Sequence, residues 1–157
     1  MKRPYLITLL ILIYCMINAA DLIPTWVVSA TDALGAAALL LWSSPVLVFW
    51  GLHFSSPGEI RERPVILGLA LLSSFAGMLG SLHVLGHAGL ALALGALLPR
   101  MAFHTVWLAC AIAWMPAFDW LGGRFFPDYV SLVRIVLATL PSWFLIRSIQ
   151  RPSRKKP

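Results

Sequence analysis

Polar and apolar positions along this chain fall into long uncharged runs separated by short polar interruptions. The longest run, Val65 to Leu98, reads VILGLALLSSFAGMLGSLHVLGHAGLALALGALL and carries no formally charged side chain. Its 34 residues would make a rod of ~50 Å at ~1.5 Å per residue, against a bilayer hydrocarbon core of ~30 Å. One helix is too long for that core. The run therefore reads as two short spans that meet at a tight reversal near Gly80 to Gly86, where Gly80, Ser81, His83, Gly86 and His87 gather.

The same pattern places four more spans around this hairpin. The first covers about Tyr5 to Ala19 and is closed by Asn18 and Asp21; the second covers Ala33 to about Leu52, with Pro45 bending it. Between them DLIPTWVVSATD, Asp21 to Asp32, suits an interfacial turn or a short helix at the headgroups. Phe54 to Pro64, FSSPGEIRERP, is a charged loop with Pro-Gly punctuation. The fifth span covers Ala102 to about Phe118, followed by a polar turn from Asp119 to Asp128 in which Gly122 and Gly123 permit tight backbone geometry. The sixth covers Tyr129 to Ile146, interrupted by Arg134 and Pro141. The expected fold class is all-α, a polytopic membrane bundle of six short transmembrane helices. The alternative is four spans plus re-entrant or interfacial helices.

Composition agrees with lipid as the main solvent. Apolar residues make up 60 % of the 157, and 18 side chains are Asp, Glu, Lys or Arg, too few to cover the surface of a soluble domain of this size. The chain reads as one membrane domain, 1–157, with a basic tail at about 147–157. The net charge of +6 gathers at the ends, in Lys2 and Arg3 and then in Arg147, Arg151, Arg154, Lys155 and Lys156. Basic ends beside apolar spans predict cytoplasmic flanks that meet anionic lipids, and no nucleic-acid motif accompanies them. An even number of spans then puts both termini on the cytoplasmic side of a bacterial or archaeal inner membrane, with Asp21, Asp32, Asp119 and Asp128 outside. The MKR start followed by an apolar run imitates a signal peptide, but no small-x-small cleavage site follows, so a retained first span is expected.

Few residues offer chemistry. His83 and His87 stand four apart and so share one helix face. They are candidate contacts for a quinone, haem or pigment. They are also candidate metal ligands that Asp21 and Asp32, or Asp119 and Asp128, could complete, although no HExxH pattern surrounds them. Interfacial hydrogen bonding is the plainer role. His104, near the opposite membrane face, is expected at the surface. Arg134 lies inside a span, where an ionised side chain must snorkel or meet an acid; Asp119, Asp128, Asp21 or Asp32 is within topological reach. It is a structural ion pair or a clamp for an anionic ligand in an outward cavity. Cys110, in LACAIAW, has no base beside it in sequence and reads as a buried core thiol, as does Cys15 in its own apolar run. The glycines of the hairpin, Gly68, Gly77, Gly80, Gly86, Gly89 and Gly95, suit close helix packing.

RERPVILGLALLSSFAGMLG, then ALGALLPRMAFH, then TVWLACAIAWMPAF resemble the middle of the exosortase and archaeosortase family of membrane transpeptidases, a resemblance that covers about residues 46–118. The resemblance implies a cysteine nucleophile at Cys110 and an arginine at Arg134, within VSLVRIVLA. The chain departs from the family's pattern at the chemistry. Cys110 lacks the following Ser-Gly, and no histidine follows Arg134, because His104 is the last in the chain. The resemblance thus implies a shortened relative that has kept the bundle and lost the thiol reaction.

Three functions follow as expectations. The first is a non-catalytic integral membrane subunit or accessory protein, partnered by other membrane subunits. The second is an exosortase-like cysteine enzyme. The third is a small carrier or ligand-binding protein with an outward pocket around Arg134, His83 and His87.

Overall fold

The computed structural model describes residues 3–29, 32–53, 63–99, 101 and 103–150. The expected loop at 54–64 lies almost wholly outside the described residues, as do Arg100, the first two residues and the stretch from Arg151 onward. Within the described residues every regular element is helical, and the fold class is all-α.

The elements follow the apolar runs. Helix α1 is Arg3–Asn18, and α2 is Leu22–Val28, bent 41° from it at the Asp21 break. Helix α3 is Leu34–His53, with Pro45 inside. Helix α4, Pro64–Gly80, opens on proline at its first turn, where the missing N–H costs nothing. Ser81, at φ 51°, makes the reversal into α5, His83–Ala96. Helix α6, His104–Ala109, tightens into a 310 turn at Cys110–Trp114, followed by α7, Ala117–Phe125. Helix α8, Val130–Gln150, closes the described chain and absorbs Pro141.

Two expectations need correction. The fifth span is not straight: the direction turns by 91° between the 310 turn and α7. Pro116 sits at that break, lacking an N–H and restricting the residue before it. The expected polar turn from Asp119 is helix as far as Phe125, so Gly122 and Gly123 are helical and not turn residues. Helix α8 continues through residues 147–150.

Packing orders the helices by direction. Helix α5 lies at the centre of one half, and its small residues let α1 and α4 approach it antiparallel. A Cβ at Gly89 would stand 2.9 Å from the Ala70 carbonyl oxygen, and one at Gly77 would stand 2.7 Å from the Gly86 backbone nitrogen. Close backbone approach of this kind is what holds helices together where water provides no drive. In the other half α3 and α8 run parallel, with Ser142 donating to the Trp42 carbonyl at 3.2 Å. Trp42 and Trp107 stack with ring centroids 4.1 Å apart and planes 2° from parallel. Each indole N–H donates to the other's backbone carbonyl, at 2.7 and 2.8 Å. Trp42, Trp107 and Trp114 are all fully buried. This core of aromatic rings, each with a polar N–H, is the alternative to aliphatic filling.

The outside is apolar. Val65, Leu69, Leu72, Phe75 and Leu79 line the outer face of α4 and are all exposed, as are Leu40 and Leu47 on α3 and Leu132 and Leu140 on α8. Two helices, α3 over Leu34–Leu52 and α8, are long and apolar enough to cross a membrane; counting each bent pair as one span makes four. Helices α4 and α5 are apolar but shorter, at 17 and 14 residues.

Candidate functional site

Side-chain charge in the interior gathers at one end of the bundle, where α1 ends and α3, α5 and α8 begin. Two clusters form there.

The first is centred on Arg134, one turn into α8 and 1 % exposed. Its Nη2 lies 3.2 Å from Asp32 Oδ1 and 2.7 Å from Asp119 Oδ1. Asp32 comes from the turn before α3, and Asp119 from the first turn of α7, which the bend at Pro116 swings back over the bundle. The Phe118 ring lies 5.5 Å from the guanidinium carbon. Removing one ion from water costs about several kcal/mol, and two acids with an aromatic face offset that cost for a single arginine. An anionic ligand would have to displace a carboxylate, so the arrangement is that of an internal tie between three elements. Asp128 takes no part in the ion pairs recorded for Arg134.

The second is centred on Asp21, in the break between α1 and α2. Its Oδ2 lies 3.0 Å from His83 Nδ1 and 3.1 Å from His87 Nε2. Helical spacing puts the two rings on one face of α5, and the antiparallel packing of α1 delivers the carboxylate between them. A carboxylate accepts, so each ring carries a proton on the nitrogen that faces Asp21. The three form a gradient from water inward: the side chains of His83, Asp21 and His87 are 69 %, 31 % and 3 % exposed. The far nitrogen of His87, Nδ1, is buried with no hydrogen-bond partner, and its ring lies 6.3 Å from that of Trp114. A cavity of about 330 Å³ opens beside the cluster, bounded by Asn18, Asp21, Met78, Ser81, His83 and Gly86.

The residues proposed for metal binding do not assemble as a set. Asp21 joins the histidines, whereas Asp32 is held by Arg134. No group of three His, Cys, Asp or Glu side chains among the described residues has the geometry to hold a metal ion. For a quinone, haem or pigment, the residues that face the cavity are His83 and Asp21, with His87 behind them.

Cys110 opens the 310 turn, half-buried and free of any disulfide. Among the described residues it makes no hydrogen bond to a histidine or arginine. Cys15 is fully buried, 3.8 Å from the Ala70 carbonyl oxygen. His104 corrects an expectation: it is 6 % exposed and not a surface residue. Its Nε2 lies 3.0 Å from the Gly95 carbonyl oxygen, and Arg63 Nη1 lies 3.4 Å from the ring nitrogens, at the end of the bundle away from Asp21. The reciprocal tryptophan pair was also invisible in the sequence; the one available signal is that a tryptophan in an apolar run must find an acceptor for its N–H.

No family model, curated protein or solved structure matches this chain. The class it falls in is therefore set by its own geometry, an all-helical bundle with one cluster centred on Arg134 and one on Asp21 at the same end.

Proposed function

We propose that the chain is a six-crossing protein of a bacterial or archaeal cytoplasmic membrane, with both termini cytoplasmic, and that it serves as a non-catalytic subunit of a larger membrane assembly. The observation that carries this reading is the division of side chains between interior and exterior. Arg134 is tied to Asp32 and Asp119, and His104 to Gly95 and Arg63. The large side chains left outside along α3, α4 and α8 are apolar, leucine, valine and phenylalanine with Met78 and Trp143. A soluble protein would not leave so much large apolar surface uncovered. The helices also alternate in direction, α1, α4 and α6 one way and α3, α5 and α8 the other, as six crossings require.

The subunit role draws on helix length. Helices α4 and α5 would span ~25 Å and ~21 Å, less than a hydrocarbon core of ~30 Å, and association is one way that such a mismatch is relieved. Anionic lipids at the basic ends complete the expected surroundings. Of the hairpin glycines, Gly77, Gly86 and Gly89 are used in packing within the fold, whereas a Cβ at Gly68 would meet nothing. Extraction in mild detergent and native mass measurement test the reading: stoichiometric membrane partners are expected, and a monodisperse chain with full activity alone would overturn it.

The cavity beside Asp21 favours a second reading, a carrier or receptor for a small ligand at that end of the bundle. Its site is Asp21 and His83, not Arg134. Binding that survives Arg134 substitution and fails in His83→Ala would favour it. The cysteine-enzyme reading has no comparable support, since no histidine or arginine among the described residues hydrogen-bonds Cys110.

A further inference from the structure

A groove of about 380 Å³ runs between α3 and α8, bounded by Leu41, Ser44, Thr139, Leu140, Trp143 and Ile146, with Ser142 at its floor. Pro45 and Pro141, one inside each of the two parallel helices, lie beside it. We propose that this groove holds one acyl chain of an anionic phospholipid whose phosphate is bound by Arg147. The proposal rests on the membrane reading above.

Three observations select that occupant. First, the hydroxyls in the groove are already used. Ser44 donates to the Leu41 carbonyl at 2.6 Å, Thr139 to Ile135 at 2.7 Å, and Ser142 to Ala138 at 2.7 Å and to Trp42 at 3.2 Å. Each bends back onto a helix carbonyl, so the walls present hydrocarbon and ask for no polar ligand. Second, the groove ends at a cation. The Arg147 guanidinium lies 4.7 Å from the centroid of the Trp143 ring, and Trp143 itself forms a wall. An indole under a guanidinium is the pairing found at headgroup depth, and the planar fork suits phosphate. Third, size argues against a protein helix. A helix is ~10 Å across with its side chains and would lie over a groove of this volume, not within it.

The full-length chain, wild type and Arg147→Gln, is reconstituted with phosphatidylglycerol and phosphatidylcholine in equal parts, extracted in mild detergent, and its retained lipids are counted by native mass spectrometry. Wild type is expected to keep one phosphatidylglycerol in preference to phosphatidylcholine. Arg147→Gln is expected to lower that preference about fivefold, the value of about 1 kcal/mol for one basic residue at the surface. Leu140→Trp fills the groove without touching charge and is expected to abolish retention of either lipid. Inorganic phosphate alone should not displace the lipid, because the acyl chain holds it. Retention unchanged in both variants overturns the proposal, as does displacement by phosphate or a copurified polypeptide protecting the groove from lipid. Should wild type fail to enter vesicles of either composition, the membrane reading falls as well, whereas entry without lipid preference overturns the groove alone.

Discussion

Arg134 meets two carboxylates from separate elements, and this fixes what its loss does. Arg134→Met would leave Asp32 and Asp119 facing one another away from water. Breaking a buried pair in this way typically costs about 3–5 kcal/mol, read as a large fall in the thermal midpoint of the detergent-solubilised protein. A change no greater than that of Arg124→Met, at an exposed position, would contradict the internal tie. Trp107→Phe removes the N–H that Trp42 accepts at 2.8 Å, and about 1 kcal/mol should go with that bond. That Arg134 needed an acid was readable from its place inside an apolar run. Which acid was not, because Asp119 reaches it only through the bend at Pro116. The histidine pair was legible as a shared helix face, and Asp21 became its partner through chain direction alone. His104 was misread because its burial depends on Gly95, nine residues back and on another helix.

At the scale of elements, the central hairpin follows directly from an uncharged run too long for one crossing, and its reversal falls at Ser81. A serine in the left-handed region is strained by roughly 1 kcal/mol, so Ser81→Gly is expected to stabilise the fold slightly and Ser81→Val to destabilise it. Equal thermal midpoints for the two would contradict the backbone conformation. Gly89→Val should cost about 1–3 kcal/mol by overpacking, since its Cβ would meet the Ala70 carbonyl and Ser74. If Gly89→Val were as stable as wild type, α4 and α5 would not pack as described. The fifth run hid its break because apolar character continues through the 310 turn, and hydrophobic patterning does not register a change of axis. Pro45 and Pro141 sit in similar runs without ending their helices. Proline alone therefore does not tell a bend from a break; the neighbours that satisfy the freed carbonyls decide.

For the whole molecule, the proposed bundle immersed in lipid has Ser81 at one face and the end of α8 at the other. Overall hydrophobicity and the count of apolar runs made an all-α bundle with helices apolar enough to cross a membrane legible, while the number of such helices depends on short and bent elements whose axes the residue pattern does not set. The most direct measurement is side-specific labelling of single cysteines in intact cells, on a background with Cys15 and Cys110 replaced by alanine. A cysteine at Ser81 should react with a membrane-impermeant maleimide from outside, and one at Lys155 only after the membrane is opened. Labelling of both positions from the same side, or recovery of the chain in the aqueous fraction without detergent, would contradict it.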